Sequence, residues 1–200
     1  MKKLATCLIC LLYLHIAIAA EIGPEQLIRQ TSVHLLAEIK ANSERYQQDP
    51  TGLYALVEEV VLPYFDFSSM TDLVLDRYRD KVTMSQRPQI IREFRVLLVR
   101  TYTRALLDYT DQEIIYLPSE VSEETGNVTV KTEIEQEGGF PIPLDYSLHP
   151  SEQGWKVYDI SVDNVSLVLN YRSSFARQIR KHGVEGLIES LRDRNQDYGQ

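Results

Sequence analysis

The side chains best suited to chemistry in this chain are His34, His149 and His182, the Ser173–Ser174 pair behind Arg172, and the aspartates Asp66 and Asp72. A histidine can move a proton near neutral pH or ligate a metal. A serine beside a base can attack a carbonyl, and two carboxylates can share acid and base roles. The spacing supports none of these uses. No histidine has another His or a Cys at metal-ligand spacing. His149 precedes Pro150 in an expected turn, and His182 falls at an expected helix end, where cations are favoured. No base is linked in sequence to Ser173 or Ser174, and Asp66 reads more simply as a helix cap. The sequence also lacks a G-x-S-x-G elbow, an H-E-x-x-H, a P-loop, a G-x-G-x-x-G and an EF-hand loop. No catalytic residue, metal site or cofactor is therefore assigned.

Both cysteines, Cys7 and Cys10, lie in MKKLATCLICLLYLHIAIAA. Lys2 and Lys3 give a charged start, Leu4 to Ile18 a short apolar run, and Ala17-Ile18-Ala19 a cleavage signal. Residues 1–19 read as a secretory signal peptide, too short and too small-residue-bounded for a membrane anchor. The short Lys-Lys leader points to a bacterial periplasm. Residues 20–200 then form one cysteine-free domain, held by its core alone. Loss of Lys2 and Lys3 takes the formal charge from −8 to −10. An acidic surface repels nucleic acid and anionic head groups at long range, so no nucleic-acid partner is expected.

The elements follow from the apolar spacing. Pro24 opens a helix running to about residue 47, with a broken apolar face of Leu27, Ile28, Leu35, Leu36 and Ile39. A second helix around Leu53–Val61 stops at Pro63. A third begins after Asp66 and carries Leu73 and Val74. A fourth, capped by Ser85 with Pro88 in its first turn, reaches about Tyr109 and is apolar on two sides, hence buried on two sides. From residue 112 the period changes to two. EIIYL (113–117), NVTVKTEIEQ (127–136), FPIPLDYSLH (140–149) and WKVYDISV (155–162) read as an antiparallel meander with one wet face. Pro141 and Pro143 remove two N–H donors that would point to the same neighbour, so that end of their strand is expected to be unpaired or at an edge. A helix to Gly183 and a final amphipathic helix follow. The class is α+β: one antiparallel sheet of about four strands, its apolar face covered by helices.

Several stretches, taken together, resemble the MlaC family, the toluene-tolerance auxiliary type: LPYFDF (62–67), LVLDRY (73–78), REFRVLLVRTYTRAL (92–106), GWKVYDISVDNVSLVLNYRSSF (154–175) and GVEGLIESLR (183–192). They span most of the mature chain in order. The chain departs from the family pattern where Gly is common at Asp76, Trp at Arg79 and Gly at Asn164. The resemblance implies a periplasmic phospholipid carrier. It would shuttle glycerophospholipid between an outer-membrane lipoprotein complex and an inner-membrane ABC transporter complex, maintaining outer-membrane lipid asymmetry, and hold the acyl chains in a hydrophobic pocket between a curved sheet and the helices. Leu73, Val74, Phe94, Leu97, Leu98, Tyr102, Val130, Ile142, Leu144, Tyr146, Trp155, Val165 and Val168 are then expected to wall the pocket. Tyr171 and Arg172, where the apolar run from Val165 turns polar, are expected at the head-group rim. At about 0.8 kcal/mol per methylene, two chains of about 16 carbons resist release to water by roughly 25 kcal/mol. Such a cargo leaves by hand-over to a docked partner. Two other readings stay open: an exported structural or adaptor protein whose apolar stripes are ordinary core, and an exported enzyme using a carboxylate or Tyr as acid/base.

Overall fold

Pro24 supplies the preset φ for the first turn of helix α1 (Pro24–Ala41) in this computed structural model, which describes residues 22–108, 112–136 and 138–197. The leader lies outside those residues. The first expected helix is two helices. It breaks at Asn42, whose Nδ2 donates to the Glu38 carbonyl at 3.0 Å, and resumes as α2 (Ser43–Gln48). Helix α3 (Thr51–Val60) gives way to a 3₁₀ turn at Leu62–Tyr64, around Pro63.

Helix α4 (Phe67–Leu75) is capped as expected: the Ser69 amide donates to Asp66 Oδ1 at 2.9 Å. Helix α5 (Arg87–Thr103) is preceded by a different device from the expected Ser85 cap. Thr83 Oγ1 accepts from the Gln86 amide and Gln86 Oε1 accepts from the Thr83 amide, the reciprocal pair of a capping box. A 3₁₀ turn, Arg104–Asp108, continues the chain.

The sheet has six strands, not about four: β1 (Ile114–Tyr116), β2 (Glu120–Val121), β3 (Val128–Ile134), β4 (Ile142–Ser151), β5 (Gly154–Val162) and β6 (Val165–Ser166). The two additional strands are two residues long, too short to show a period. The order is β1-β3-β4-β5-β6, with β2 also on β3, all antiparallel. Asp163 and Asn164, with φ of 50° and 61°, form the two-residue turn into β6. The proline effect is one-sided. Pro143 pairs with Glu133 of β3, while on the β5 side the ladder stops at Leu144–Val162.

Register sets the inner face in rows. Tyr116, Thr132, Leu144 and Val162 stand side by side; so do Val130, Tyr146 and Ile160. Helix α6 (Leu167–Asp197) covers the helical side and bends at Gly183, whose φ of 71° and ψ of −177° suit glycine almost alone.

Two of the three departures from the family pattern fall on backbone that disfavours a side chain. Asp76 closes α4 at φ 49°, ψ −125°, and Asn164 sits at φ 61°. Asparagine tolerates its position; Asp76 carries more strain. Asp76→Gly is expected to stabilise the fold by about 1 kcal/mol, strain relief outweighing the extra chain entropy of glycine. Urea unfolding measures it, and an unchanged or lowered midpoint rejects the strain.

Candidate ligand-binding cavity

The apolar residues of this fold do not form one core. Ile90, Phe94 and Leu97 of α5 pack against Val74 of α4 and Phe175 of α6. Val99, on the other side of α5, packs with Leu35, Leu53 and Val57 of α1 and α3. Leu27 and Ile28 of α1 pack on Val128, Val130, Leu148 and Val157 of the sheet. A domain usually has one contiguous cluster. Here three clusters surround a cavity, and all three contribute to its wall.

Helix α1 supplies Leu27, Ile28, Thr31, Ser32 and Leu35. The chain from α3 into α4 supplies Val57, Val61, Leu62, Tyr64, Phe65, Phe67 and Met70. Helix α5 and its extension supply Leu98, Val99, Tyr102, Thr103 and Leu106. The sheet floor is Leu144, Tyr146, Val157, Ile160 and Val162, with Leu167 at the start of α6. No charged side chain is among them. Leu144, Tyr146, Ile160 and Val162 stay only half-buried although they face the helices, because space rather than protein stands before them.

The space open to the centre of a water-sized sphere is about 250 Å³, and the whole non-atom volume, mouth included, about 1130 Å³. One such sphere needs on the order of 10–15 Å³, and packed interiors hold few voids larger than one water. Side chains around a cavity of this size lack packing partners on one side. An apolar ligand that fills it recovers that contact.

The polar groups of the wall are hydroxyls. Burial drives the Tyr146 phenol well above its ordinary range, the neighbouring Tyr116 adds to this, and a hydrogen bond with Ser32 opposes it. The phenol therefore stays neutral, and the wall offers an apolar, uncharged surface suited to hydrocarbon.

The candidate chemical groups are engaged elsewhere. Asp66 Oδ2 stands 3.1 Å from His149 Nε2, joining the start of α4 to β4. Burial works to raise the Asp66 pKa, but the Ser69 hydrogen bonds, with His149, outweigh it and hold the carboxyl below its ordinary value. Asp72 receives a forked pair of bonds from Arg87, at 3.2 and 2.8 Å. His34 lines a second, neighbouring groove between α1, the end of α3 and the β4–β5 turn. His182 packs under Gly186, at the bend of α6.

Of the residues expected to form the wall, Leu98, Tyr102, Leu144 and Tyr146 line the cavity. The others lie off it. Val74, Phe94, Leu97 and Val168 are in the helical core, and Val130 in the core between α1 and the sheet. Ile142 stands one row beyond the cavity floor, opposite Ile134. Trp155 lines the neighbouring groove with His34. Leu73 and Val165 are exposed, at 37% and 56%. Tyr171 packs edge-on against Phe94, ring centroids 5.3 Å apart. Arg172 donates from Nε to the Leu73 carbonyl at 3.0 Å, in a groove that shares no residue with the cavity.

The largest contribution missing from the sequence reading is α1. A signal for it exists: Thr31 and Ser32 interrupt the stripe of Leu27, Ile28 and Leu35 one turn from each. Hydroxyls placed where core is expected mark a face that does not meet packed protein.

Comparison with known proteins joins this geometry to sequence. The family model described as MlaC protein matches residues 29–193. The chain is 27% identical over 175 residues to the intermembrane phospholipid transport system binding protein MlaC of Haemophilus influenzae, covering 86% of this chain and 82% of that protein. It is 25% identical over 161 residues to the toluene tolerance protein ttg2D of Pseudomonas putida, covering 80% and 74%. Its fold matches the phospholipid-binding protein of Ralstonia solanacearum, solved in complex with a phospholipid, with a TM-score of 0.80 and 30% identity, over 88% of this chain and 98% of that one.

Proposed function

The chain belongs to the MlaC family, and from that premise we propose that it binds a glycerophospholipid through its acyl chains in the cavity between α1, α3, α5 and the sheet, and carries it through the periplasm. The cavity is the observation that supports this most: it is large, apolar and uncharged, in a fold matched by a protein solved with a phospholipid. Docked complexes at the outer and inner membranes hand the lipid over, since roughly 25 kcal/mol of transfer free energy opposes release to water. The leader is cleaved on export. The carrier returns its cargo chemically unchanged, consistent with a wall that carries no Asp, Glu, His, Lys or Arg side chain among the described residues.

Native mass spectrometry of the mature protein, with analysis of the extracted lipid, tests the proposal. Intact co-purified phospholipid is the expected result. A ligand-free protein that also takes up no phospholipid from vesicles refutes the carrier. Lysolipid or free fatty acid above a heat-inactivated control refutes the chemically inert role.

A further inference from the structure

Arg172, expected at the rim of the lipid site, stands instead with two other arginines in a separate groove between α4 and α6. The groove has a volume of about 250 Å³ and is lined by Arg77, Arg172, Arg180, Tyr78, Ser173 and Asp76, among others. The chain carries a formal charge of −8. Six arginines elsewhere, Arg29, Arg79, Arg87, Arg92, Arg95 and Arg192, have a carboxylate within 4 Å among the described residues. The other eight have none within that distance among the described residues; Arg45, Arg100, Arg104, Arg177 and Arg194 lie outside this groove, whereas Arg77, Arg172 and Arg180 are gathered in it, with Asp76 as the one carboxylate lining it. Three guanidiniums gathered without a counter-ion repel one another, and in an acidic protein such a cluster runs against the general field.

The groups around them orient the cluster. Arg172 Nε donates to the Leu73 carbonyl, one of the carbonyls left over at the C-terminal end of α4, so this contact uses one of the three guanidinium nitrogens. The Arg77 guanidinium and the Lys81 ammonium each lie 5.3 Å from the centre of the Tyr78 ring. Tyr78 is buried, only 8% exposed, and interacts through its hydroxyl with Arg180. Ser173 adds a hydroxyl at the surface. Capping of α4 accounts for Arg172, and contacts with Tyr78 hold Arg77 and Arg180, but none of these contacts neutralises the three charges.

We propose that this groove is a binding site for a phosphate-class oxyanion. Forked guanidinium donors and flanking hydroxyls match the several acceptor oxygens of a phosphate monoester or diester. Two sources carry that chemistry, a lipid head group at a bilayer surface and free phosphate. The site is distinct from the cavity and does not depend on what the cavity holds.

The test uses the mature protein at low ionic strength, with Arg77→Gln/Arg180→Gln as the variant; Arg172 is kept because it caps α4. Calorimetric titration with inorganic phosphate is one arm. Co-sedimentation with phosphatidylglycerol vesicles, against phosphatidylcholine vesicles, is the other. Binding in either arm that weakens tenfold or more in the variant, with circular dichroism and cavity occupancy unchanged, supports the site and identifies the source. Ser173→Asp, which sets a carboxylate among the arginines from an exposed position, is expected to give the same loss, and it decides the matter if the double variant fails to fold. Wild-type protein that binds neither phosphate nor anionic vesicles overturns the proposal, as does binding that survives these substitutions.

Discussion

Leu144→Glu is expected to give a folded protein that carries no phospholipid. Leu144 sits at the centre of the sheet floor, between Thr132 and Val162, half-buried and facing the cavity. A carboxylate there can be hydrated while water occupies the cavity, so the strand pairing and the three surrounding clusters survive. Acyl chains would strip that water and leave the charge unpaired in hydrocarbon, at a cost of several kcal/mol, and the lipid is excluded. Val168→Glu provides the contrast. Val168 is 2% exposed, packed among α4, α5 and α6, with its amide donating to Asp159. No cavity stands before it to admit water, so the same charge there is expected to unfold the domain. Native mass spectrometry and circular dichroism separate the two outcomes. A folded Leu144→Glu protein that retains its lipid removes Leu144 from the binding wall. A folded Val168→Glu protein without lipid would move the wall to the α6 side.

The second large effect is on stability. Phe94 is fully buried, and its ring meets Tyr171 and Phe175 edge-on at 5.3 and 5.2 Å, joining α5 to α6. Phe94→Ala removes a large apolar surface and these aromatic contacts, in a site enclosed by rigid helices that cannot collapse inward. A loss of about 3–5 kcal/mol is expected, with the aromatic pairs adding on the order of 1 kcal/mol. Denaturant unfolding measures it. The folded fraction should keep its lipid stoichiometry, because Phe94 lies outside the cavity wall. A stability change under 1 kcal/mol, or selective loss of lipid, contradicts that placement.

Much of the frame was legible in the chain. The Asp66 cap, the two-sided burial of α5, the period of two in β3 to β5 and the turn at Gly183 each follow from local chemistry, and each is in the structure. The family was legible too, through strings such as GWKVYDISVDNVSLVLNYRSSF. The short strands β2 and β6 were not, because two residues show no period; they form only because a neighbouring strand offers open hydrogen-bonding groups.

The sequence by itself determined which residues are apolar and which elements carry them. Only the tertiary structure decided which of those residues face packed protein and which face the cavity. Leu97 and Leu98 are neighbours on α5 and both belong to the helical core, yet only Leu98 also lines the cavity. Val130 and Tyr146 are cross-strand partners, and only Tyr146 lines the cavity. The reason is energetic. Taking a side chain out of water yields about the same transfer free energy whether protein or lipid replaces the water, so selection for either leaves the same apolar pattern. What distinguishes them is the atom standing opposite, and that is fixed by how α1, α3, α5 and α6 are held apart over the sheet.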